Sequence, residues 1–521
     1  MSLSARLLAW MLVLLITGCA GLPPRGPVEA SQAYTDTDST ALARIAAASR
    51  PADAAGESGF RLLPTGEFAF TARTALAERA ERSLDAQYYH IHTDPAGQTF
   101  LRELRDAALR GVRVRLLVDD FHSADLYEAL IGLAAHPNVQ VRLFNPLPVR
   151  AGSPLLRMAL SWNEFDRINH RMHNKLFVAD NAVAVYGGRN VADEYFMRHG
   201  AANFIDLDVL STGPVVRELS RAFDRYWNSE QVYPLHAVLA APADPVQARA
   251  DFDRKVRSVD LGVVRHPPTD PLDQTSVPAQ LAEGRLQLSF GRADVFADPP
   301  TKVDTSLGLR EPTAAMRGQL DIIGNARSEV AIVSPYFVPS EIGMRMMGEA
   351  ARRGGRAMIL TNSLGSTDEP LAHDAYSRYR VEMLRLGMEL YELSPDLSRL
   401  TGNFGSFGKS IGRLHVKAAT VDQRWLLVGS VNLDARSAVV NTEMAVAIDC
   451  PPIVKQAMAL IAGDGYRSMY KLRLRNDGRT IEWLQTDEHG RTTATTEEPH
   501  SGWLLRLKLW FQSIFVDEAM L

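Results

Sequence analysis

The sequence contains one four-residue motif twice. In each copy a lysine follows a histidine by two positions, an aspartate follows the lysine by five, and an asparagine follows the aspartate by ten. The first copy is His173, Lys175, Asp180 and Asn190, and the second is His415, Lys417, Asp422 and Asn432. The separation between the copies is 242 residues at all four positions. Chance similarity would not keep this spacing, so the chain is expected to contain two similar halves.

The segments that precede the two motifs also resemble each other. Residues 82–119 and 327–362 each contain an apolar strand, an amphipathic helical stretch, a glycine turn and a second apolar strand. The separation is 245 residues between Ser83 and Ser328, and 243 between Arg110 and Arg353. Strands that alternate with helices are typical of βαβ units and a largely parallel sheet. The fold class predicted is therefore α/β, built twice.

Composition excludes several classes of protein. Of the 521 residues, 46% are hydrophobic and 23% are charged, which excludes a largely disordered chain, a collagen and a polytopic membrane protein. The net charge is −4, from 57 basic and 61 acidic residues. No global positive field is available to hold nucleic acid, although a local basic cleft is compatible with this balance. Two cysteines cannot form a disulfide framework, so stability must come from buried apolar cores.

The N-terminus is typical of an export signal. Arg6 precedes an apolar run from Leu7 to Ile16, which is too short to span a bilayer as a helix. The run ends in Ile16-Thr17-Gly18-Cys19, which resembles a bacterial lipobox. We therefore expect cleavage after residue 18 and lipid attachment at Cys19. Residue 20 is alanine and not aspartate, which favours sorting of the lipoprotein to the outer membrane. The alternative is an ordinary signal peptide or a buried N-terminal helix.

The rest of the chain is divided by composition and by the repeat. Residues 19–58 are rich in Pro, Ala, Ser, Thr and Asp and are predicted to form a tether, with a docked helix at Ala41–Ala48 as the alternative. Pro, Asp and Gly accumulate again in a connector that is predicted to hold at most one or two strands, such as Leu286–Phe290. The predicted boundaries are domain 1 at 59–243 (motif region 167–194), the connector at 244–312, and domain 2 at 313–521 (motif region 409–436).

The motif residues suit chemistry on a phosphodiester. Apolar residues follow each lysine, so the motif is expected to run into a buried strand, with histidine and lysine on one face. Two such pairs facing each other form a cationic pocket, in which Lys175, Lys417, Asn190 and Asn432 donate hydrogen bonds to phosphate oxygens. One histidine attacks phosphorus while the other protonates the leaving alkoxide, through a covalent phosphohistidine. We expect no metal ion and no cofactor.

Each histidine also needs a carboxylate to orient its second ring nitrogen. Asp206 lies downstream of His173, and Glu443 lies downstream of His415, so these two acids are the candidates. The motif acids Asp180 and Asp422 are expected to be structural and to close a turn after the strand. Cys450, which follows an apolar strand, is expected to be a buried packing residue. His122, His170, His199 and His373 are expected to be ordinary surface or core residues, with lining of the cleft as the alternative.

The doubled motif matches the signature of the phospholipase D superfamily. Other segments resemble the bacterial cardiolipin synthase C type, and the resemblance covers roughly residues 58–521. These segments are Phe60–Leu63, Leu84–Tyr89, Asn169–Lys175, Gly187–Asn190, Asp193–Phe196, Tyr226–Ser229, Val333–Pro339, Leu360–Leu364 and Asn432–Ser437. The chain departs from the family pattern at Phe515–Glu518, which affects no catalytic residue. The resemblance implies two pseudo-symmetric phospholipase D-like domains, each a mixed β-sheet flanked by helices, with one shared active-site cleft.

The resemblance also implies a metal-independent phosphatidyltransferase. His173 would attack the phosphate of a donor phospholipid, and His415 would protonate the departing head group. The glycerol hydroxyl of phosphatidylglycerol would then attack the phosphohistidine and give cardiolipin. The donor implied is phosphatidylethanolamine or a second phosphatidylglycerol, and Asp206 and Glu443 match the positions that hold the histidines.

Two other hypotheses stand beside phosphatidyl transfer, which makes three in all. The same site would act as a phospholipase D if water replaced the alcohol, and less plausibly as a nuclease, since the net charge and the lipid anchor argue against a polyanionic substrate. A non-catalytic lipoprotein is the third option.

The expected partners are a phospholipid membrane and phospholipid substrates, with no nucleic acid, and a single chain carries the whole site. The expected location is a bacterial membrane, facing the periplasm. The apolar arc of Trp503–Val516 fits either a bilayer interface or its own domain.

Overall fold

The computed structural model describes most of the chain, with gaps. The described residues are 21–259, 267–304, 311–395, 407, 410–462, 464–487, 489–502 and 508–509. The predicted signal segment and Cys19 lie outside them, as does the C-terminal segment 503–516 apart from Lys508 and Leu509. Among these described residues, no helix combines the length and the apolar content needed to cross a membrane.

Nine strands belong to the first half of the chain. They are Ser58–Leu63 (β1), Ser83–Tyr88 (β2), Arg113–Asp119 (β3), Val139–Phe144 (β4), Leu176–Ala179 (β5), Val183–Gly187 (β6), Ala202–Ile205 (β7), Asp208–Thr212 (β8) and Val232–Pro234 (β9). All except β7 join one sheet in the order β1-β8-β6-β5-β2-β3-β4-β9. Strands β2, β3 and β4 are parallel to one another, and the other pairs are antiparallel.

The remaining strands belong to the second half, and all of them except β14 form a second sheet of the same design. They are Ser289–Ala297 (β10), Glu329–Val333 (β11), Arg356–Asn362 (β12), Glu389–Leu393 (β13), Ile411–Leu414 (β14), Ala418–Val421 (β15), Trp425–Gly429 (β16), Met444–Asp449 (β17), Met469–Leu474 (β18), Ile481–Thr486 (β19) and Thr492–Thr495 (β20). The order is β10-β17-β16-β15-β11-β12-β13-β18, which reproduces the first sheet strand by strand, and β19 and β20 extend its edge. The predicted duplication of a mixed α/β domain is confirmed.

The two sheets are continuous through β10. Its first three residues, Ser289–Gly291, pair with β1, and the following residues, Arg292–Ala297, pair with β17. A second contact between the halves is the parallel pair β7 and β14. These pairings hold the halves side by side.

Helices cover the sheets. In the first half and the connector they are Ala41–Ser49, Gly66–Arg79, Pro95–Leu109, Tyr127–Ala134, Pro154–Leu160, Phe165–Asn169, Pro214–Trp227, Leu235–Val238, Pro245–Arg257 and Val277–Ala282. In the second half they are Ala314–Gly324, Ser340–Arg352, Pro370–Ser377, Arg380–Arg385, Pro451–Ile461 and Asp464–Arg467, with a π-helix at Arg436–Val440. At the start of Pro95–Leu109 the Asp94 carboxylate accepts the Gly97 amide, and proline occupies the first turn.

The apolar core has one part inside each half and one part between them. The cluster between the halves contains Phe60 and Leu176 from the first half and Leu414, Val428 and Met444 from the second half, all buried. Burial of apolar surface between two sheets is the main force that keeps them together. The cleft between the halves therefore lies on a well-packed apolar core.

The predicted tether is wrong for residues 21–58. Ser31 accepts hydrogen bonds from the buried Arg115 and from the Trp227 indole, and Leu42 of helix Ala41–Ser49 is fully buried. The segment docks because these buried donors need acceptors and the helix has an apolar face to bury. The docked-helix alternative is the one observed.

The predicted connector, 244–312, also takes part in both halves. Helix Pro245–Arg257 packs on helices Tyr127–Ala134 and Pro95–Leu109 of the first half, whereas β10 is an edge strand of the second sheet. The strand predicted at Leu286–Phe290 begins at Ser289 and runs to Ala297. Glycine and aspartate, which are depleted in strands, occur within this strand, so its full length was not recognised in the sequence.

Candidate active site

The motif histidines lie where the halves cross. Strand β14 ends directly before His415 and pairs with β7, which ends directly before Asp206. On the opposite side, Met172 and Thr442 form a parallel bridge, which brings Glu443 next to His173. The backbone amides of both histidines donate to the partner half, His173 to Thr442 O at 2.8 Å and His415 to Ile205 O at 2.7 Å.

Each orienting acid therefore serves the histidine of the other half. His173 Nδ1 lies 3.0 Å from Glu443 Oε2, and His415 Nδ1 lies 2.6 Å from Asp206 Oδ2. Order along the chain suggested the opposite pairing, Asp206 with His173 and Glu443 with His415, and that pairing is wrong. The physical reason is the crossing of β7 with β14, which local sequence patterns do not encode. Both acids do lie beside a motif histidine.

The two acids have different surroundings. Ser430 Oγ donates to Glu443 Oε2, and Ser437 Oγ donates to Glu443 Oε1 at 3.0 Å. Asp206 Oδ1 accepts the Leu207 amide at 2.7 Å, and the residue packed against its carboxylate is Gly188. A Cβ added at Gly188 would lie 2.3 Å from Asp206 Oδ1, so only glycine fits there.

Both lysines are buried in the cleft. Lys175 Nζ donates to His173 O, and Lys417 Nζ donates to His415 O, each at 2.6 Å. Lys417 Nζ also lies 2.9 Å from His415 Nδ1. An ammonium has three donors, so each lysine keeps capacity for a phosphate oxygen. Because burial disfavours charge, the pKa of Lys417 falls to about 8 and that of Lys175 falls well below its usual range.

The ionisation of the histidines and acids follows the same forces. Burial lowers the pKa of His173, although Glu443 opposes this, and burial with Lys417 and Lys175 lowers the pKa of His415 well below its ordinary value. Burial also works to raise the pKa of Glu443, but His173, Lys175 and Ser430 lower it overall. Burial raises the pKa of Asp206. At neutral pH the two rings are thus neutral, and Glu443 is an anion.

The two motif asparagines differ in how much of their amide is engaged. The Asn190 amide donates to the Tyr195 hydroxyl at 3.0 Å, and its oxygen accepts the His90 amide at 3.3 Å. The buried Asn432 Oδ1 has no hydrogen-bond partner among the residues that the structure describes. Asn432 is therefore the freer of the two to meet a ligand, and the predicted phosphate contact stays a prediction for both.

The motif aspartates do not join the cleft. Asp180 accepts the backbone amides of Glu81, Arg82 and Ser83, and Asp422 accepts those of Arg327, Ser328 and Glu329. Asp180 and Asp422 both have positive φ, 52° and 53°, in the turn that ends the motif strand. Each carboxylate ties that turn to the start of the neighbouring strand, so the expected structural role is confirmed.

Several residues of the cleft were not predicted as part of it. Tyr195 and Phe204 lie against the His415 ring, with centroids 5.2 and 4.9 Å away, and Tyr89 lies 5.2 Å from the His173 ring. His122 contacts Tyr89 and His90, so it belongs to the cleft wall, although an ordinary role was expected for it. One difference between the two halves could have been found from the sequence. The 242-residue separation aligns Ser430 of the second half with Gly188 of the first.

Cys450 has the packing role that was expected. Its side chain is buried, its thiol donates to Phe290 O at 3.3 Å, and burial raises the pKa of the thiol. A thiol that is buried and protonated is chemically inert.

Comparison with known proteins places this geometry in a family. The sequence matches the family described as "Cardiolipin synthase, PLD-like domain" over residues 74–227 and 320–464, one match in each half. It is 34% identical over 469 residues to cardiolipin synthase C of Escherichia coli K12, covering 89% of this chain and 97% of that protein. It is 30% identical over 511 residues to an uncharacterized protein of Helicobacter pylori 26695, covering 96% and 97% of the two chains.

A solved structure shows the same fold. The crystal structure of phosphatidylserine synthase from Haemophilus influenzae Rd KW20 superimposes with a TM-score of 0.55, over 91% of this chain and 96% of that chain, at 13% identity. At this identity the likeness concerns the fold alone. The doubled motif, the crossed histidine and acid pairs, and the family match in both halves lead to one conclusion. The chain is an enzyme of the phospholipase D superfamily and belongs to its cardiolipin synthase family.

Proposed function

We propose that this phosphatidyltransferase makes cardiolipin from phosphatidylglycerol and a second phospholipid, through a phosphohistidine intermediate. The observation that carries the proposal is the crossed pairing of His173 with Glu443 and His415 with Asp206. It gives one cleft two oriented imidazoles, each with its Nε2 free for the substrate, beside two buried ammonium groups. A phosphodiester is the ligand whose charge and reaction use all four groups.

The first step forms a covalent intermediate on His173. Its neutral Nε2 attacks phosphorus, and the bond from phosphorus to the head-group oxygen breaks. The ring then carries a positive charge, and Glu443, an anion held by two serine hydroxyls, stabilises it. This support favours His173 over His415 as the nucleophile, because the acid beside His415 has a raised pKa.

His415 moves the proton in both steps. A bound phosphodiester brings negative charge beside its ring, which raises the pKa of His415 and lets Nε2 carry a proton to the departing head-group alcohol. The neutral ring then removes the proton from the glycerol hydroxyl of phosphatidylglycerol. That oxygen attacks phosphorus, the bond from phosphorus to His173 breaks, and cardiolipin leaves with His415 protonated again.

The identity of the products tests the proposal. Purified protein is incubated with vesicles of phosphatidylglycerol alone, or of phosphatidylglycerol with phosphatidylethanolamine, and the lipids are identified by mass spectrometry. Cardiolipin is expected, and its yield in the two vesicles identifies the donor. Phosphatidic acid as the only product would show that water is the acceptor and would overturn transfer. No product with either vesicle would also overturn it.

We also propose that the enzyme is a lipoprotein, anchored through Cys19 to a bacterial membrane and facing the periplasm. The support is the apolar run that ends in Gly18-Cys19, with Ala20 favouring the outer membrane. A lipid anchor would keep the cleft beside its membrane substrate. In cells supplied with labelled palmitate, the wild-type protein should carry label and the Cys19→Ser variant should not. Label that persists in Cys19→Ser would contradict the anchor.

A further inference from the structure

The two halves differ in how tightly their outer helices pack. In the first half, helices Gly66–Arg79 and Pro95–Leu109 bury ten residues each. Their counterparts in the second half, Ala314–Gly324 and Ser340–Arg352, bury three and two. The surrounding strands have the same order and direction in both halves, so the looser packing is a local property of these two helices.

One residue difference lies beside these looser helices. In the first half Phe196 is fully buried and its ring lies 4.7 Å from that of Phe70, which fills the space between helix and strand edge. At the 242-residue separation, the position of Phe196 is occupied by Ala438. An alanine leaves the volume of a phenyl ring unfilled, and a cavity of about 310 Å³ lies there.

The cavity is apolar and adaptable. Its walls come from both helices and from the segment that follows Asn432. Its lining residues include Met316, Leu320, Phe337, Met346, Met347 and Ala438. Ser340 and Asp434 also line it, and the Asp434 carboxylate accepts the Ser437 amide at 2.7 Å. Methionine side chains adjust to irregular apolar ligands, so this mostly apolar lining suits a flexible hydrocarbon chain.

The cavity adjoins the segment that follows a motif asparagine. Leu433 and Asp434, in its wall, directly follow Asn432. Leu433 bridges Phe337, and the Val338 amide donates to Leu433 O at 2.9 Å, so the rim is a fixed pair of segments. A phosphate held beside Asn432 would therefore place the rest of a bound lipid at this rim.

From this geometry we propose that the cavity between helices Ala314–Gly324 and Ser340–Arg352 binds one acyl chain of the phospholipid whose phosphate lies in the cleft. The proposal rests on the proposed function. It breaks the pseudo-symmetry of the enzyme, because the equivalent position of the first half is closed by Phe196. The enzyme thus holds a phospholipid in one orientation relative to its two histidines.

Refilling the cavity tests this directly. The Ala438→Phe variant restores the aromatic residue of the first half. We expect kcat/KM for long-chain dioleoyl phosphatidylglycerol to fall by at least about tenfold, since several buried methylene groups are lost. Turnover of dihexanoyl phosphatidylglycerol, whose chains are too short to fill the cavity, should be unchanged. The control is Leu109→Phe, on the exposed side of the equivalent first-half helix, which should alter neither substrate. An equal loss for both substrates, or no loss for either, would overturn the proposal.

A second measurement does not depend on the variant or on turnover. Wild-type protein is mixed with vesicles of phosphatidylglycerol that carries a photoreactive group at the end of an acyl chain, irradiated, digested and analysed by mass spectrometry. Label within 314–324 or 340–352 is expected, and label confined to other segments would overturn the acyl site. Label at the expected helices without any cardiolipin formation would instead overturn the proposed function and leave the acyl site supported.

Discussion

At the scale of single residues, two serines distinguish the surroundings of the two histidines. Ser430 and Ser437 donate to Glu443, whereas the position equivalent to Ser430 in the first half is Gly188, which gives Asp206 no hydroxyl. Hydrogen bonds to a carboxylate favour its charged form. Glu443 is thus the stronger support for a cationic ring, which is why the covalent intermediate is assigned to His173.

Matched substitutions at these two positions should have unequal effects. Ser430→Ala removes one of the two serine hydrogen bonds to Glu443 and should lower kcat by about tenfold. Gly188→Ala places a Cβ 2.3 Å from Asp206 Oδ1 and should displace the acid from His415, with a loss of more than about 100-fold. Steady-state kinetics on both variants, with melting temperatures as the control for folding, test this. Equal losses would contradict the difference between the two acids.

The pH profile of kcat/KM should be limited on its alkaline side by a buried lysine. Lys417 is charged below its pKa of about 8 and loses its proton above it, so phosphate binding weakens as the pH rises. The alkaline limb should lie at or below about pH 8. The acid limb should lie below the ordinary histidine value of about 6.5, because His173 must be neutral to attack and its pKa is lowered.

The Lys417→Arg variant tests whether Lys417 sets the alkaline limb of the pH profile. Arginine stays charged throughout the accessible pH range, so the alkaline limb should move to higher pH even if the maximal rate is lower. A limb that stays in place in Lys417→Arg, or a wild-type profile that is flat beyond pH 10, would show that Lys417 does not set it.

At the scale of elements, the motif aspartates are predicted to matter for stability and not for turnover. Asp180 is fully buried and satisfies three backbone amides, so Asp180→Ala should lower the free energy of unfolding by about 2–4 kcal/mol. Asp422→Ala should cost less, because the Arg327 and Ser328 amides that it binds are exposed and water can replace the carboxylate. Denaturant unfolding gives both values, and kcat of the folded fraction should be unchanged. A large loss of kcat at normal stability would contradict the structural role.

The strands and motif residues were predictable because their signals are local. His173, Lys175 and the apolar residues after them define a buried strand within a few positions, and the 242-residue repeat identified the second copy. The exchange of Asp206 and Glu443 between halves was not predictable, because it depends on pairings such as β7 with β14, about 209 positions apart in the chain. The acyl cavity was missed for the same reason: the substitution at Ala438 is visible in the sequence, but the space that it opens depends on two helices packed from elsewhere.

At the scale of the whole molecule, the crossed acids make the two halves interdependent. His173 has no carboxylate partner without the second half, and His415 has none without the first. The continuous sheet through β10 and the shared apolar core hold the halves in this arrangement. One chain thus supplies a complete site, which agrees with the proposal that the enzyme acts as a single chain.

Mixing two inactive variants tests this interdependence. His173→Ala and His415→Ala should each reduce turnover by at least about 10³-fold, since each removes a group that bonds to or protonates the substrate. An equimolar mixture of the two full-length variants should stay inactive, because no single cleft then contains both histidines. Activity recovered on mixing, above the sum of the separate proteins, would show that the site is assembled between chains.

The central claim is phosphatidyl transfer through His173, and trapping the intermediate tests it most directly. The enzyme is mixed with phosphatidylglycerol labelled at phosphorus, quenched within a turnover under conditions that preserve phosphohistidine, and digested for peptide mapping. One labelled residue, His173, is expected, and its label should pass into cardiolipin when phosphatidylglycerol is added in excess. Label on His415 alone, or product formation at full rate in His173→Ala with no labelled histidine in the wild type, would contradict it.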